Sequence, residues 1–266
     1  MTAFSVEREG NVAFVVMLAP SMGLAFFSEL PRVFRELDAD ASVRAIILTG
    51  SGANFSFGLD LKDVAPLFLP LTTGDTSASA RAAVLAQVRE WQASITAVAD
   101  CRTPVIAAID GWCIGGGIDL IAATDIRLAT AGAKFSVRET KVAIVADLGS
   151  LQRLVGIIGD GHLRELALTG GDINAARAER IGLVNTVYAD ATELKDAALA
   201  TARAIAANSP LVVRGVKDVL DAERAPRVEA GLRYVATWNA AFLPSRDLGE
   251  AFAAFAERRP AEFIGE

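Results

Sequence analysis

The sequence predicts an α/β protein, in which short buried strands alternate with helices. Two observations carry this prediction. Short apolar runs recur through the first two thirds of the chain, and stretches with apolar residues at helical spacing follow them. In addition, residues 12–39, 45–65, 105–124 and 126–156 are alike in predicted architecture, although not in sequence.

The first element is a hairpin, because Phe4 to Arg8 and Val12 to Leu18 flank the turn residues Glu9-Gly10-Asn11. A helix over roughly Phe26 to Ala39 follows, since apolar residues recur there at helical spacing. The later elements, in chain order, are a strand at Ala45 to Leu48, a helix after the N-cap residue Asp60, a helix over about Arg81 to Asp100, a strand at Pro104 to Ile109, a helix from Gly115 to Ala123, strands at Ile126 to Ala129 and Lys134 to Val137, and a strand near Leu183 to Val187.

One segment interrupts this alternation. Pro66 to Ser79 combines two prolines, a Gly-Asp pair and several Ser and Thr residues, which predicts a long, mobile loop. Long loops of this kind are often lids or binding loops.

The chain from Gly149 onward is predicted to be mostly helical. We expect a core domain over residues 1–200 and a helical region over residues 201–266, which packs on the core and takes part in oligomerisation. Aromatic residues in this region face either the chain's own core or a subunit interface. The three predicted tail helices are Leu211 to Ala222, Arg227 to Ala241 and Arg246 to Glu257, and the aromatic residues are Phe242, Phe252 and Phe255.

Composition narrows the class of protein. With 266 residues, of which 52% are hydrophobic and 22% charged, the chain is expected to fold around a substantial core. A net charge of −6 and the lack of a long basic run disfavour nucleic-acid binding. The N-terminus lacks a signal-peptide pattern, and the apolar run Val12 to Ala19 is far short of the ~20 residues that span a bilayer. We therefore expect no membrane association and a cytoplasmic location.

Three carboxylates lie in unusually apolar sequence. Asp119 follows a glycine run, and Glu139 and Asp147 bracket the segment TKVAIVA. Burial raises the pKa of a carboxyl group, which suits an acid or base that works near neutral pH. The structural alternatives are that Asp147 caps the helix after it and that Glu139 forms an ion pair with a neighbouring Arg138 or Lys141.

Two glycine-containing turns precede predicted helices. Gly115-Gly116-Gly117 stands at one strand-to-helix junction, and Gly58-Leu59-Asp60 at another. Glycine permits close backbone approach, and N–H groups at such turns can hold a negative oxygen. If the N–H groups of Leu59 and Gly116 converge, they form an oxyanion hole. The alternatives are a tight turn and an ordinary helix start.

Other chemistries fit poorly. A dinucleotide fingerprint would need glycine at position 120, which is Leu120. There is no G-x-S-x-G elbow, and His162 is the only histidine, expected to be solvated or structural. Cys101 and Cys113 are expected to be reduced structural thiols, and no zinc set or other metal site is predicted.

Four segments resemble the crotonase (enoyl-CoA hydratase/isomerase) superfamily in order and spacing, over most of residues 4–260. The resemblance implies a spiral of repeated ββα units with a helical C-terminal region, assembled as homotrimers or dimers of trimers. It implies acyl-CoA thioester substrates, an enolate intermediate and no separate cofactor, coenzyme A being part of the substrate. The segments are NFSFGLDLKDV, TPVIAAIDGWCIGGGIDLIAATDIRLAT, KFSVRETKVAIVADLGSLQRLVGIIG and ALTGGDINAARAERIGLVN.

The resemblance also implies roles for residues. The oxyanion donors fall on the N–H groups of Leu59 and Gly116. Lys62 either meets the phosphates of coenzyme A or is a solvated helix lysine. The residues expected to bind substrate are Gly58, Asp60, Lys62, Gly115 and Gly117.

The catalytic set separates the members of this family. Asp119 and Glu139 occupy the positions of the two water-binding glutamates of hydratases, in which a glycine usually stands at the position of Asp147. Aspartate at both positions 119 and 147 resembles the Δ3,5-Δ2,4-dienoyl-CoA isomerases. We therefore expect an isomerase that shifts conjugated double bonds in fatty acid β-oxidation. The alternatives are an enoyl-CoA hydratase and a non-catalytic acyl-CoA-binding homologue.

The expected mechanism moves one proton off C2 and another onto C6. Asp147 is expected to be the base at C2, Glu139 the acid at C6, and Asp119 the group that polarises or positions the site. Apolar residues of the intervening loop, Val142, Ile144 and Val145, are expected to keep water out.

Overall fold

The computed structural model describes residues 2–72 and 77–266 of the chain. Within these residues, six strands form one sheet in the order β1-β2-β4-β6-β8-β11, and two smaller sheets have the orders β10-β9-β7 and β3-β5. The strands are β1 (Phe4–Glu9), β2 (Val12–Met17), β3 (Ser21–Met22), β4 (Ala45–Gly50), β5 (Gly58–Leu59), β6 (Val105–Ile109), β7 (Trp112–Ile114), β8 (Ile126–Thr130), β9 (Lys134–Ser136), β10 (Ile173–Asn174) and β11 (Thr186–Tyr188).

Helices follow or connect these strands. They are α1 (Leu24–Ala39), α2 (Leu61–Thr72), α3 (Ala78–Ala99), α4 (Gly116–Ala122), a 3₁₀ helix η1 (Glu139–Val142), α5 (Ser150–Arg153), α6 (Val155–Thr169), α7 (Ala175–Arg180), α8 (Ala191–Ala206), α9 (Pro210–Phe242) and α10 (Arg246–Glu257).

The predicted repeat is present. Four times, a strand of the large sheet is followed by a strand of a small sheet and then by helix, as in β2-β3-α1 and β6-β7-α4. Successive large-sheet strands from β2 to β8 pair in parallel. The α/β spiral of ββα units with a helical C-terminal region is therefore confirmed.

Apolar burial explains the central strands. All five residues of β6 are buried, as expected for a parallel strand covered on both faces. The predicted N-terminal hairpin is confirmed, with β1 and β2 antiparallel and Gly10 at φ +58° in the turn. Cys101 and Cys113 are free and buried, as predicted, and His162 is exposed on α6.

The predicted loop over Pro66 to Ser79 is wrong for residues 66–72, which continue α2, and for residues 78–79, which begin α3. Helix α2 starts where the Asp60 carboxylate accepts hydrogen bonds from the Lys62 and Asp63 N–H groups, and its Val64 is fully buried. This anchored first turn outweighs the missing donor of Pro66. Residues 73–76 of the predicted loop lie outside the described residues.

The tail holds one long helix where two were predicted. Helix α9 runs without interruption from Pro210 to Phe242 across Pro226. Both halves are held against the core, because Lys217 pairs with Asp125 at 2.9 Å and Val228 is buried. The predicted helix at Arg246 to Glu257 is confirmed. A division of the chain into domains near residue 200 stays a prediction.

The three aromatic residues of the tail, which were expected to face the core or a subunit interface, differ in exposure. Phe242 and Phe255 are exposed, whereas Phe252 is partly buried and packs against the main core. No helix among residues 2–72 and 77–266 is long and apolar enough to cross a membrane.

Candidate active site

The two glycine turns meet at the end of the small sheets. Gly58 has a φ of +76° and Gly115 a φ of +54°, a region that favours glycine. A Cβ atom on Gly58 would lie 2.8 Å from the backbone nitrogen of Gly116. A Cβ atom on Gly116 would lie 3.8 Å from the backbone nitrogen of Leu59. The predicted donors Leu59 and Gly116 are therefore close together.

Ser56 holds these two segments in place. It is fully buried, its Oγ accepts a hydrogen bond of 3.0 Å from the Gly58 N–H, and its carbonyl accepts one of 2.9 Å from the Ile114 N–H. A Cβ atom on Gly117 would lie only 2.9 Å from the Cβ atom of Ser56. The glycines thus allow two chain segments to pack backbone against backbone.

Asp119 lies in α4 directly after this turn, with 1% of its surface exposed. Its Oδ1 accepts a hydrogen bond of 2.6 Å from the N–H of Ser150, the first residue of α5. A buried carboxylate therefore takes up one of the unpaired N–H groups that every helix start leaves. This contact joins the glycine turn to the chain segment that carries Asp147.

Glu139 begins the 3₁₀ helix η1 beside the glycine turn. Its Oε1 lies 3.6 Å from the position that a Cβ atom would take on Gly115. Its Oε2 is buried and has no hydrogen-bond partner among the described residues. The alternative of an ion pair with Arg138 or Lys141 is wrong, because Glu139 forms no ion pair among the described residues and Arg138 pairs with Asp172. An unpaired buried oxygen is costly, which makes Glu139 a candidate for a functional role.

Asp147 is held by two side-chain amides. Its Oδ2 accepts a hydrogen bond of 2.6 Å from Nδ2 of Asn239, and its carbonyl accepts one of 2.7 Å from Nε2 of Gln92. The alternative that Asp147 caps the following helix is wrong. Helix α5 begins at Ser150, and the carboxylate that meets the Ser150 N–H is Asp119.

The three carboxyl groups influence one another electrostatically. Burial raises the pKa of Asp119, whereas hydrogen bonds from Ser150 and the charge of Arg153 oppose the rise. Burial, with the Asp119 charge, raises the pKa of Glu139 to about 8. Burial also raises the pKa of Asp147 to about 7, with the Asn239 hydrogen bond opposing and the Asp119 charge adding. The site therefore holds carboxyl groups that titrate near neutral pH.

Of the three apolar loop residues expected to keep water out of the site, only two line a cavity. Val142 and Ile144 line a small cavity together with Leu61 of α2 and Phe252 of α10. Val145, however, is 36% exposed, and its carbonyl accepts a hydrogen bond from Asn239. A water-excluding role for the Val145 side chain does not fit this exposure. Across residues 2–72 and 77–266, no cluster of His, Cys, Asp and Glu is arranged to hold a metal ion.

Comparison with known proteins bears on this arrangement. Residues 7–266 match the sequence family described as enoyl-CoA hydratase/isomerase. The chain belongs to this family.

Relatives within the family are similar over nearly the whole chain. A mitochondrial Δ3,5-Δ2,4-dienoyl-CoA isomerase of Dictyostelium discoideum is 44% identical over 259 residues, which cover 95% of this chain and 87% of the relative. A peroxisomal protein of the same name from Arabidopsis thaliana is 41% identical over 261 residues, covering 97% and 94%. An enoyl-CoA hydratase/isomerase structure from Mycobacterium paratuberculosis has a TM-score of 0.83 at 28% identity, covering 95% and 98%.

Most of the predicted site residues of this enoyl-CoA hydratase/isomerase family member come together. The glycine turns carrying Leu59 and Gly116 lie side by side, and the Asp119, Glu139 and Asp147 carboxyl groups interact. The remaining two predicted residues lie at the start of α2, just after Leu59: Asp60 caps this helix and Lys62 is exposed on it. A role of either in substrate binding stays a prediction.

Three residues that contact the predicted site residues were not themselves predicted. Ser56, Gln92 and Asn239 are each buried and polar, at 0%, 6% and 2% exposure. A signal for Asn239 exists in the sequence, because it lies at helical spacing from the buried Val235 and Ala236. A polar residue on the buried stripe of a helix needs a buried partner.

Proposed function

We propose that this chain converts 3,5-dienoyl-CoA thioesters into 2,4-dienoyl-CoA thioesters. The observation that carries the proposal is the third carboxylate, Asp147, held by Asn239 in the same electrostatic cluster as Glu139. A hydratase needs a carboxylate pair around one water, whereas shifting a diene needs a base and an acid at separated carbons. The names of the two relatives described above support this choice.

The backbone N–H groups of Leu59 and Gly116 bind the thioester oxygen in this proposal. As the C2 proton leaves, negative charge develops on that oxygen and both donors strengthen their hydrogen bonds to it. The close approach of Gly58 and Gly116 supports this role. Preorganised donors of this kind are typically worth about 3 kcal/mol each in the transition state.

Asp147 takes the proton from C2 of the substrate, and the electrons of that bond move into the dienolate. Glu139 then gives its proton to C6, which leaves double bonds at C2 and C4. A pKa of about 7 for Asp147 and about 8 for Glu139 suits these roles, because the base must be ionised while the acid is protonated. Asp119 raises both pKa values and fixes the loop through Ser150. Return of the proton from Asp147 to Glu139 resets the site.

The decisive experiment supplies 3,5-dienoyl-CoA and follows the absorbance of the conjugated 2,4-dienoyl product. The wild type is expected to isomerise it, and Asp147→Asn to lose about 10²–10⁴-fold in turnover. Asp160→Asn is the matched control, since Asp160 is exposed and pairs with Arg164. Rapid hydration of 2-enoyl-CoA without isomerisation would favour the hydratase alternative. Binding of acyl-CoA without any turnover would favour the non-catalytic alternative.

The assembly proposed is a homotrimer or a dimer of trimers. An exposed apolar face on the first half of α9 supports a subunit interface. Sedimentation or light scattering at several concentrations tests this assembly, and a monomer would contradict it. The residues of this face are Leu211, Val212, Val216, Val219 and Leu220.

Substrate handling and location complete the proposal. We place the reaction in fatty acid β-oxidation, with Lys62 and Asp60 near the coenzyme A moiety and no separate cofactor. The cytoplasmic location expected from the sequence stays a prediction, because the two relatives are named mitochondrial and peroxisomal. Subcellular fractionation of the native source tests the location.

A further inference from the structure

The side chain of Asn239 links the proposed base to the main chain. It is 2% exposed, and its Nδ2 lies 2.6 Å from Oδ2 of Asp147 and 2.9 Å from the carbonyl oxygen of Val145. A carbonyl oxygen can only accept a hydrogen bond, so the NH₂ end of the amide must face Val145. The second N–H of the same nitrogen is then directed to Asp147.

This donated hydrogen bond lowers the pKa of Asp147, whereas burial and a neighbouring negative charge raise it. Two further carboxyl groups belong to this cluster: the charge of Asp119 from α4 raises the pKa of Asp147, and the charge of Asp147 in turn raises the pKa of Glu139 from η1. The buried cation Arg153 of α5 contacts the Leu148 carbonyl and the Thr96 hydroxyl rather than Asp147. Helix α10 meets the η1 segment with apolar side chains. Among these described neighbours, Asn239 is therefore the group that donates directly to the carboxylate of Asp147.

Gln92 fixes the main chain at the same residue. Its Nε2 donates to the carbonyl of Asp147 at 2.7 Å and to that of Leu232 at 3.0 Å. Asp147 is thus held at its backbone from α3 and at its carboxylate from α9. Side-chain amides at both points restrict the rotation of the carboxylate relative to the glycine turns.

We propose that Asn239 is a positioning residue for the isomerisation, which keeps Asp147 ionised and leaves Oδ1 as the oxygen that accepts the C2 proton. The inference rests on the proposed function, since it assumes that Asp147 is the base. Donation to an ionised carboxylate favours the charged form, so loss of the donor makes the base harder to ionise. Asn239 acts through Asp147 and does not itself contact the reacting atoms.

The test compares Asn239→Leu and Asn239→Asp with the wild type by kcat/KM against pH. In Asn239→Leu the acid limb is expected to move up by about one pH unit, the typical effect of one hydrogen bond to a charged group. Asn239→Asp has the same size but puts a further carboxyl beside Asp147, so the limb is expected to move at least as far. Gln152→Leu is the control. It also removes a side-chain amide bond that involves α9, because Gln152 donates to the Gly231 carbonyl at 3.4 Å.

The outcomes separate positioning from simple structural support. A uniform loss of kcat at every pH, with the acid limb unmoved in folded variants, would overturn the inference. If Asn239→Leu does not fold, the isosteric Asn239→Asp decides. Titration of the Asp147 carboxyl by ¹³C NMR gives the same information without turnover. Failure of the wild type to isomerise would therefore refute the proposed function and still leave the Asn239 contact testable.

Discussion

The carboxylate of Asp119 accepts a 2.6 Å hydrogen bond from the backbone N–H of Ser150, although 31 residues separate the two along the chain. The side chain of Asp119 thus satisfies a backbone N–H at the start of α5 and also adds negative charge beside Glu139 and Asp147. These two effects can be separated, because an asparagine oxygen still accepts the hydrogen bond but carries no charge.

Asp119→Asn is expected to shift the whole pH–activity profile to lower pH. The Asp119 charge raises the pKa of Glu139 and of Asp147, so its removal lowers both. Unfolding in urea is expected to change by less than about 1 kcal/mol for Asn, whereas Asp119→Ala loses about 1–3 kcal/mol by leaving the Ser150 N–H unpaired. An unchanged pH profile in a folded Asp119→Asn variant would remove Asp119 from the electrostatics of the site.

The wild-type enzyme is expected to show a narrow, bell-shaped dependence of kcat/KM on pH. Activity rises with pH as Asp147 ionises near pH 7, and it falls again as Glu139 loses its proton near pH 8. Because the groups are coupled, the two limbs report the set rather than single residues. Initial rates with 3,5-dienoyl-CoA between about pH 5 and about pH 10 measure the profile. A flat profile across neutral pH would contradict this acid–base assignment.

Much of this arrangement was predictable from the sequence, for local reasons. The strand Val105–Ile109 is a continuous apolar run, and the turn at Gly115 follows from glycine's freedom at positive φ. Carboxylates in apolar sequence, such as Asp147, stand out without any knowledge of their partners. The resemblance to the family then assigned the glycine turns and the carboxylates to one active site.

Long-range contacts explain what sequence reasoning missed. Asn239 lies 92 residues from Asp147, and nothing near it in the chain indicates a carboxylate partner. Helix α9 continues across Pro226, and one of its tertiary anchors is the ion pair of Lys217 with Asp125, again 92 residues away. A proline weakens a helix locally, but tertiary anchors on both sides decide whether the helix breaks.

Gly58→Ala is expected to lower turnover by at least about 10²-fold, as the loss of an oxyanion donor typically does. A methyl group there would lie 2.8 Å from the Gly116 nitrogen and 2.9 Å from the Ile114 carbonyl oxygen, so the two donor segments must separate. Gly10→Ala is the matched control, because Gly10 also has a positive φ, +58°, but no atom within 4 Å of the added methyl. Both variants carry backbone strain of roughly 1–2 kcal/mol, measurable by urea unfolding. Equal turnover in both variants would contradict the proposed role of the Gly58–Gly116 contact.

Glu139→Gln is expected to stabilise the fold at alkaline pH while it removes the proposed acid. The pKa of Glu139 is about 8 in the folded protein, against an ordinary value of 4.5. Between these values the folded state keeps a proton that the unfolded state has released, so the wild type loses stability as pH rises through this window. Glutamine does not titrate, and its advantage should therefore grow from about pH 4.5 and level off above about pH 8.

The expected gain from Glu139→Gln at about pH 9 relative to about pH 5 is roughly 2–4 kcal/mol, less than the full pKa difference implies because the site relaxes. Urea unfolding of both proteins at the two pH values measures it. Glu36→Gln is the control, since Glu36 is exposed and pairs with Arg32, and it is expected to show no comparable gain. A pH-independent difference between wild type and Glu139→Gln would mean that Glu139 is not held protonated by its burial. A gain in stability together with a ~10²–10⁴-fold loss of turnover would instead show that the fold is destabilised at this position for the sake of acid catalysis.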